Sequence, residues 1–138
     1  MRLMTKFWRL PGPRRALLLE AAASLALASA ALSLLRFRRA IGLGAISLGR
    51  RSSNTSAEVV SAIETAARRL PWRVVCIQKG IAAQRMLRRR GLDAVLHYGI
   101  GNDRDRDRLD AHVWVSVDGA PVIGGEEARA FAPVAAFP

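Results

Sequence analysis

The sequence is poor in the residues that build most metal, disulfide and nucleotide sites. It has one cysteine, Cys76, in 138 residues, so no internal disulfide can form and nothing requires an oxidising compartment. With only two histidines, His97 and His112, that cysteine is too little for a four-ligand zinc site, and no metal or cofactor is expected. No G-x-G-x-x-G or Walker pattern occurs, which leaves nucleotide binding without support. An aromatic-basic RNA motif and a helix-turn-helix pattern are also missing. Acidic residues are scarce: 11 stand against 22 Lys and Arg, for a net charge of +11. That excess suggests an anionic partner such as a membrane surface, nucleic acid or an acidic peptide.

What is present is a core. Apolar residues make up 51% of the chain, and the length suits one compact domain better than two. Composition nevertheless shifts along it. Residues 1–50 read as a basic and apolar helical region, and 51–138 as a mixed helix and strand unit. The polar stretch RRSSN, residues 50–54, marks the boundary.

Residues 16–35, ALLLEAAASLALASAALSLL, form helix readily and are almost wholly apolar. Three readings are open. A basic start and Ala28-Ser29-Ala30 fit a secretory signal. The length of about 20 residues fits a membrane span. The third is a helix packed on the domain, or lying on a membrane surface between Arg14-Arg15 and Arg36-Phe37-Arg38-Arg39. Glu20, a charge inside the run, favours the third. The expectation is an attached helix and a cytoplasmic protein that touches the inner membrane at most.

Next, Thr55-Ser56-Ala57-Glu58 fits a capping box. Val59, Ile63, Ala66, Ala67 and Leu70 follow at helical spacing, and Pro71 stops the helix. Trp72 is expected as a core anchor. The next helix is predicted over 76–90, with Gly91 as its left-handed cap and Arg88-Arg89-Arg90 in its last turn. Cys76 thus falls at a helix start. Unpaired N–H groups and the positive dipole end there favour a thiolate and can stabilise an oxyanion. Free cysteine is also among the most buried residue types, and the segment alone favours packing.

After Gly91 the apolar period falls to two over 92–100, a strand. GNDRDRDRLD, residues 101–110, is expected as a solvated loop. A second strand spans 111–117, with Val113, Val115 and Val117 on one face and His112, Trp114 and Ser116 on the other. Asp118-Gly119 is a hairpin turn, and residues 120–124 return as the partner strand. A histidine sharing its face with Trp114 and Ser116, opposite an all-valine face, is a stronger chemical candidate than His97.

Cys at a helix start, L-R-R-R-G at its end, a strand, and then A-H-x-W-V-x-x-D-G together resemble the transglutaminase-like leader peptidases of lasso-peptide biosynthesis, the peptidase part of the so-called B protein. The match runs from about Pro71 to Ile123, and Arg14 to Arg39 resembles that family's apolar N-terminal region. The resemblance implies an α+β fold with a papain-like or transglutaminase-like core: N-terminal helices, a helix bearing the nucleophile, and a small antiparallel sheet. It also implies that Cys76 is the nucleophile and His112 the general base. The family's Asp, about twelve residues after the histidine, falls here on Gly124. With a tight turn at 118–119, His112 would face Gly125. That register brings Glu126 or Glu127, or a backbone carbonyl, to the imidazole. Asp110 shares the histidine's face, and Asp118 lies too far along the strand. Glu126 is taken as the third catalytic residue.

The implied activity is removal of the leader from a ribosomally synthesised lasso-peptide precursor. The implied partners are that precursor, a separate leader-recognition protein and a lasso cyclase. Residues 1–70 look helical and lack the strand-rich pattern of a fused recognition domain. Two alternatives remain: a non-catalytic basic protein that binds a membrane or nucleic acid, and a same-fold acyltransferase or amidase.

Overall fold

The computed structural model describes residues 2–45, 55–103 and 108–138. The expected boundary at 50–54 lies outside them. The chain opens with two helices, α1 (Arg2–Trp8) and α2 (Gly12–Leu34). Pro13 sits in the first turn of α2, where its missing N–H costs no helical hydrogen bond. Then come α3 (Phe37–Gly42), a short 3-10 turn, α4 (Ser56–Ala67) and α5 (Cys76–Arg89). The strands follow: β1 (Ala94–Asp103), β2 (Arg108–Val117) and β3 (Ala120–Ile123), then a single helical turn α6 (Gly125–Ala128) and β4 (Ala132–Phe137). The four strands form one antiparallel sheet in the order β3-β2-β1-β4.

Local chemistry sets the element ends. Thr55 Oγ1 accepts from the Glu58 N–H at 3.2 Å and Glu58 Oε2 accepts from the Thr55 N–H at 3.0 Å, the reciprocal box expected at the start of α4. Gly91, at φ 77°, closes α5. Its N–H reaches the Arg88 carbonyl and the Leu92 N–H reaches that of Leu87, the paired bonds of a Schellman cap. Asp118 and Gly119 both have positive φ, as a two-residue hairpin turn requires.

The helices pack on one face of the sheet around a single apolar cluster, which includes Leu17, Ala21 and Leu25 of α2, Val59 and Ile63 of α4, Ile81 and Met86 of α5, and Leu96, Val113 and Val115 of the sheet. By length and mean hydropathy (1.8) α2 is apolar enough to cross a membrane. One of its faces nevertheless belongs to this core. Glu20 forks onto Arg90 at 2.6 and 3.0 Å, with Arg89 at 3.4 Å. Burial would raise the Glu20 pKa, but the Arg90 hydrogen bond and the charges of Arg90, Arg89 and Arg85 outweigh it and hold the carboxyl below its usual value. This pair fastens α2 to the end of the cysteine-bearing helix.

Two local expectations are corrected. Trp72 is not a core anchor: it is 39% exposed, and its Nε1–H donates to Ser29 Oγ at 3.1 Å. The indole N–H needs an acceptor, and the hydroxyl on α2 supplies it at the surface. Residues 101–110 are not all loop. β1 continues to Asp103 and β2 starts at Arg108, with Asp103 opposite Arg108 in the register. Residues 104–107 of that stretch lie outside the described residues.

Candidate active site

Cys76 is the first residue of α5 and is half-buried. The residue before it, Val75, has no side-chain acceptor to cap the helix. Gln78 Oε1 accepts from the Val75 N–H at 2.8 Å, and the amides of the first turn that follows have no acceptor within the helix. Four residues on, Gly80 is buried against β2. A Cβ there would lie 2.6 Å from Val113 Cγ1, so the missing side chain is what lets α5 sit this close to the strand. Val113 is the neighbour of His112. Cys76, at the start of α5, and His112, on β2, both line one open cleft of about 1410 Å³.

The cleft is lined by Cys76 and His112, by Glu64 and Lys79, by Asp110, and by the 121–126 segment with Arg129 and Phe131. Lys79 and Glu64 form an ion pair at 2.9 Å on its helical wall. His112 is buried. Its ring lies between Trp114, at 6.1 Å, and Phe131, at 5.1 Å between centroids. His97 extends the row by stacking on Trp114 at 5.4 Å, and its Nε2 bonds Ser116 Oγ at 2.7 Å. Burial pushes the His97 pKa down. The strand face read as polar is therefore closed by rings, which accounts for a buried Trp114 and Ser116 there.

His112 Nε2 lies 2.9 Å from the Gly124 carbonyl oxygen. A carbonyl only accepts, so Nε2 carries the proton and, in the neutral ring, Nδ1 carries the lone pair. The expected turn register holds only at its start. Val117 pairs with Ala120 and Ser116 with Pro121, but Val115 pairs with Ile123. The extra residue is a bulge. β3 then ends, and Gly124 turns the chain at φ 72°. His112 therefore meets the Gly124 carbonyl rather than Gly125 across a ladder, and Glu126 rides on α6, exposed, at the edge of the cleft. Asp110 is also exposed and lines the cleft, whereas Asp118 sits on the hairpin turn.

Residues 18–136 match the family model described as the transglutaminase-like superfamily. The chain belongs to that superfamily. Its members are commonly cysteine peptidases or acyltransferases, and the α+β architecture, with a cysteine on a helix facing an antiparallel sheet, is the one expected from the sequence. Comparisons with curated proteins and with solved structures give no significant match.

Sequence reasoning missed two contacts of His112. Phe131 had no motif to mark it, because its contact with His112 depends on where α6 returns the chain. The Gly124 carbonyl was named only as a generic possibility, since a main-chain oxygen leaves no residue-type signature. Its position, twelve residues after the histidine, is nonetheless where the resemblance puts an aspartate.

Proposed function

We propose that this protein is a cysteine peptidase that removes the leader from a ribosomally synthesised lasso-peptide precursor. The observation that carries the reading is the cleft. Cys76 at the first turn of α5 and His112 on β2 both line it, and the histidine's Nε2 is held by the Gly124 carbonyl. In this reading the imidazole takes the thiol proton through Nδ1. Sγ adds to the scissile carbonyl, and the first-turn amides of α5 support the oxyanion. The intermediate collapses to a thioester as the amine leaves with the proton. Water, deprotonated by the same imidazole, then releases the leader acid and restores the thiol.

The Gly124 carbonyl acts as a positioning group. It fixes the tautomer, as a triad carboxylate would, but brings no charge to the imidazolium. A leader-recognition protein and a cyclase are the partners that this role requires. The chain's net charge of +11 would draw in an acidic leader or an acidic partner. The test is cleavage of a precursor in the presence of its recognition protein, followed by mass spectrometry. Cys76→Ala and His112→Ala should each abolish cleavage with unchanged circular dichroism. Wild-type turnover by Cys76→Ala would end the proposal. A product joined to an added amine, in place of the free acid, would move the chain to the acyltransferases.

A further inference from the structure

α2 is apolar on both sides. Its buried stripe is in the core, and its outward stripe carries Ala16, Leu19, Ala23, Leu27, Ala30 and Leu34 with no charge among them. Leu19 is 60% and Leu34 82% exposed. A soluble helix normally turns charged residues outward. The stripe is bounded at both ends by exposed aromatic and basic residues. Trp8 stands with Arg2, Lys6 and Arg9 at one end, and Phe37 with Arg36, Arg38 and Arg39 at the other. The only acid in residues 2–45 is Glu20, and it is turned onto Arg90. Beside Leu19 a groove of about 320 Å³ opens, floored by Phe7, Leu10 and Leu18 and rimmed by Lys6, Arg14 and Arg69. Its floor suits one apolar chain and its rim suits an anionic head.

We propose that α1, α2 and the start of α3 form a docking face for an anionic membrane surface, with α2 lying in the plane of the interface. The 23 residues of α2 extend about 34 Å, long enough to span, but spanning would strip its inner face and Glu20 from the domain. Lying flat leaves those contacts whole. It puts the outward leucines among acyl chains, the rings at headgroup level and the cations over anionic lipid. A second copy is a poor occupant. Both ends of the face are basic, so parallel and antiparallel pairing alike would bring cation against cation.

The test is flotation of the full chain with vesicles of phosphatidylcholine alone and of phosphatidylcholine mixed with phosphatidylglycerol, at low and raised salt. The chain should float with the mixed vesicles, less so at raised salt, and much less with the neutral ones. The double change Leu19→Asp, Leu34→Asp alters two exposed positions and should weaken partitioning by about tenfold or more, with circular dichroism unchanged. Tryptophan emission should shift to the blue on mixing, and Trp8→Phe should remove that shift. Three results would overturn the proposal: no flotation with the anionic vesicles, flotation indifferent to the leucine changes, or a dimer in solution that the leucine changes dissociate.

Discussion

Gly124 offers the sharpest perturbation of the site, because its role is carried by the main chain and its side-chain position is full. A Cβ there would lie 3.0 Å from the Val113 carbonyl oxygen, 3.1 Å from His112 Nε2 and 3.3 Å from Trp114 Cβ. The backbone also sits at φ 72°, which costs a non-glycine residue about 1–2 kcal/mol. Gly124→Ala should therefore lower stability by at least that much and push the imidazole off its acceptor. In the proposed mechanism the ring becomes charged, and a hydrogen bond to a charged group is worth about 1.5–3 kcal/mol. Its loss corresponds to a fall in kcat/KM of roughly tenfold to 150-fold. The companion variant is Glu126→Gln. Glu126 is exposed and Nε2 is already held by Gly124, so this change should cost less than about threefold, whereas loss of a true triad carboxylate can cost about 10⁴-fold. Urea unfolding and precursor cleavage, measured on both variants, separate the two effects. A folded Gly124→Ala of wild-type activity, or a Glu126→Gln slowed more than a hundredfold, would refute the assignment of the carbonyl.

Other consequences follow from the packing. Gly80→Ala drives a methyl against Val113 Cγ1 and should cost about 1–3 kcal/mol together with activity, since it wedges the cysteine helix from the histidine strand. Adding Val113→Ala should recover part of the activity in a double-mutant cycle, and no recovery would mean that the contact does not set the spacing. Glu20→Gln should cost about 1–3 kcal/mol at neutral pH, because Arg90 is nearly enclosed and loses a charged partner. The folded-state pKa of Glu20 lies below its ordinary value of 4.5. Its stabilisation is therefore complete above that value and disappears as pH falls through the folded one. The stability gap between wild type and Glu20→Gln, followed by urea unfolding, should close as the solution is acidified, and a gap constant with pH would contradict the pairing.

The parts of the molecule legible in the sequence are those governed by local rules. Thr55 and Glu58, Gly91, and the Asp118-Gly119 turn each needed only a few neighbouring residues, and each is found where its chemistry puts it. The strand carrying His112 was also legible, because the period-two valines survive any register. Non-local geometry was not. The bulge that moves Val115 onto Ile123 breaks a ladder counted outward from the turn, and it is what delivers the Gly124 carbonyl to the ring. Trp72 was misread because burial is the common fate of tryptophan, whereas here a serine 43 residues away accepts its N–H. The role of Glu20 was half visible. Its charge argued for a packed helix, but its partner is 70 residues distant in the chain.

Cys76 is the only thiol in the chain, which allows activation by His112 to be measured without any substrate. The rate of carboxamidomethylation by iodoacetamide at neutral pH, read by intact mass, reports that one atom. If the imidazole activates the thiol, His112→Ala should slow the reaction by roughly tenfold to a hundredfold while the fold is retained, and Cys76→Ala should take up no label. Equal rates in the wild type and a folded His112→Ala would mean that the histidine does not act on the cysteine, contradicting the Cys76–His112 mechanism.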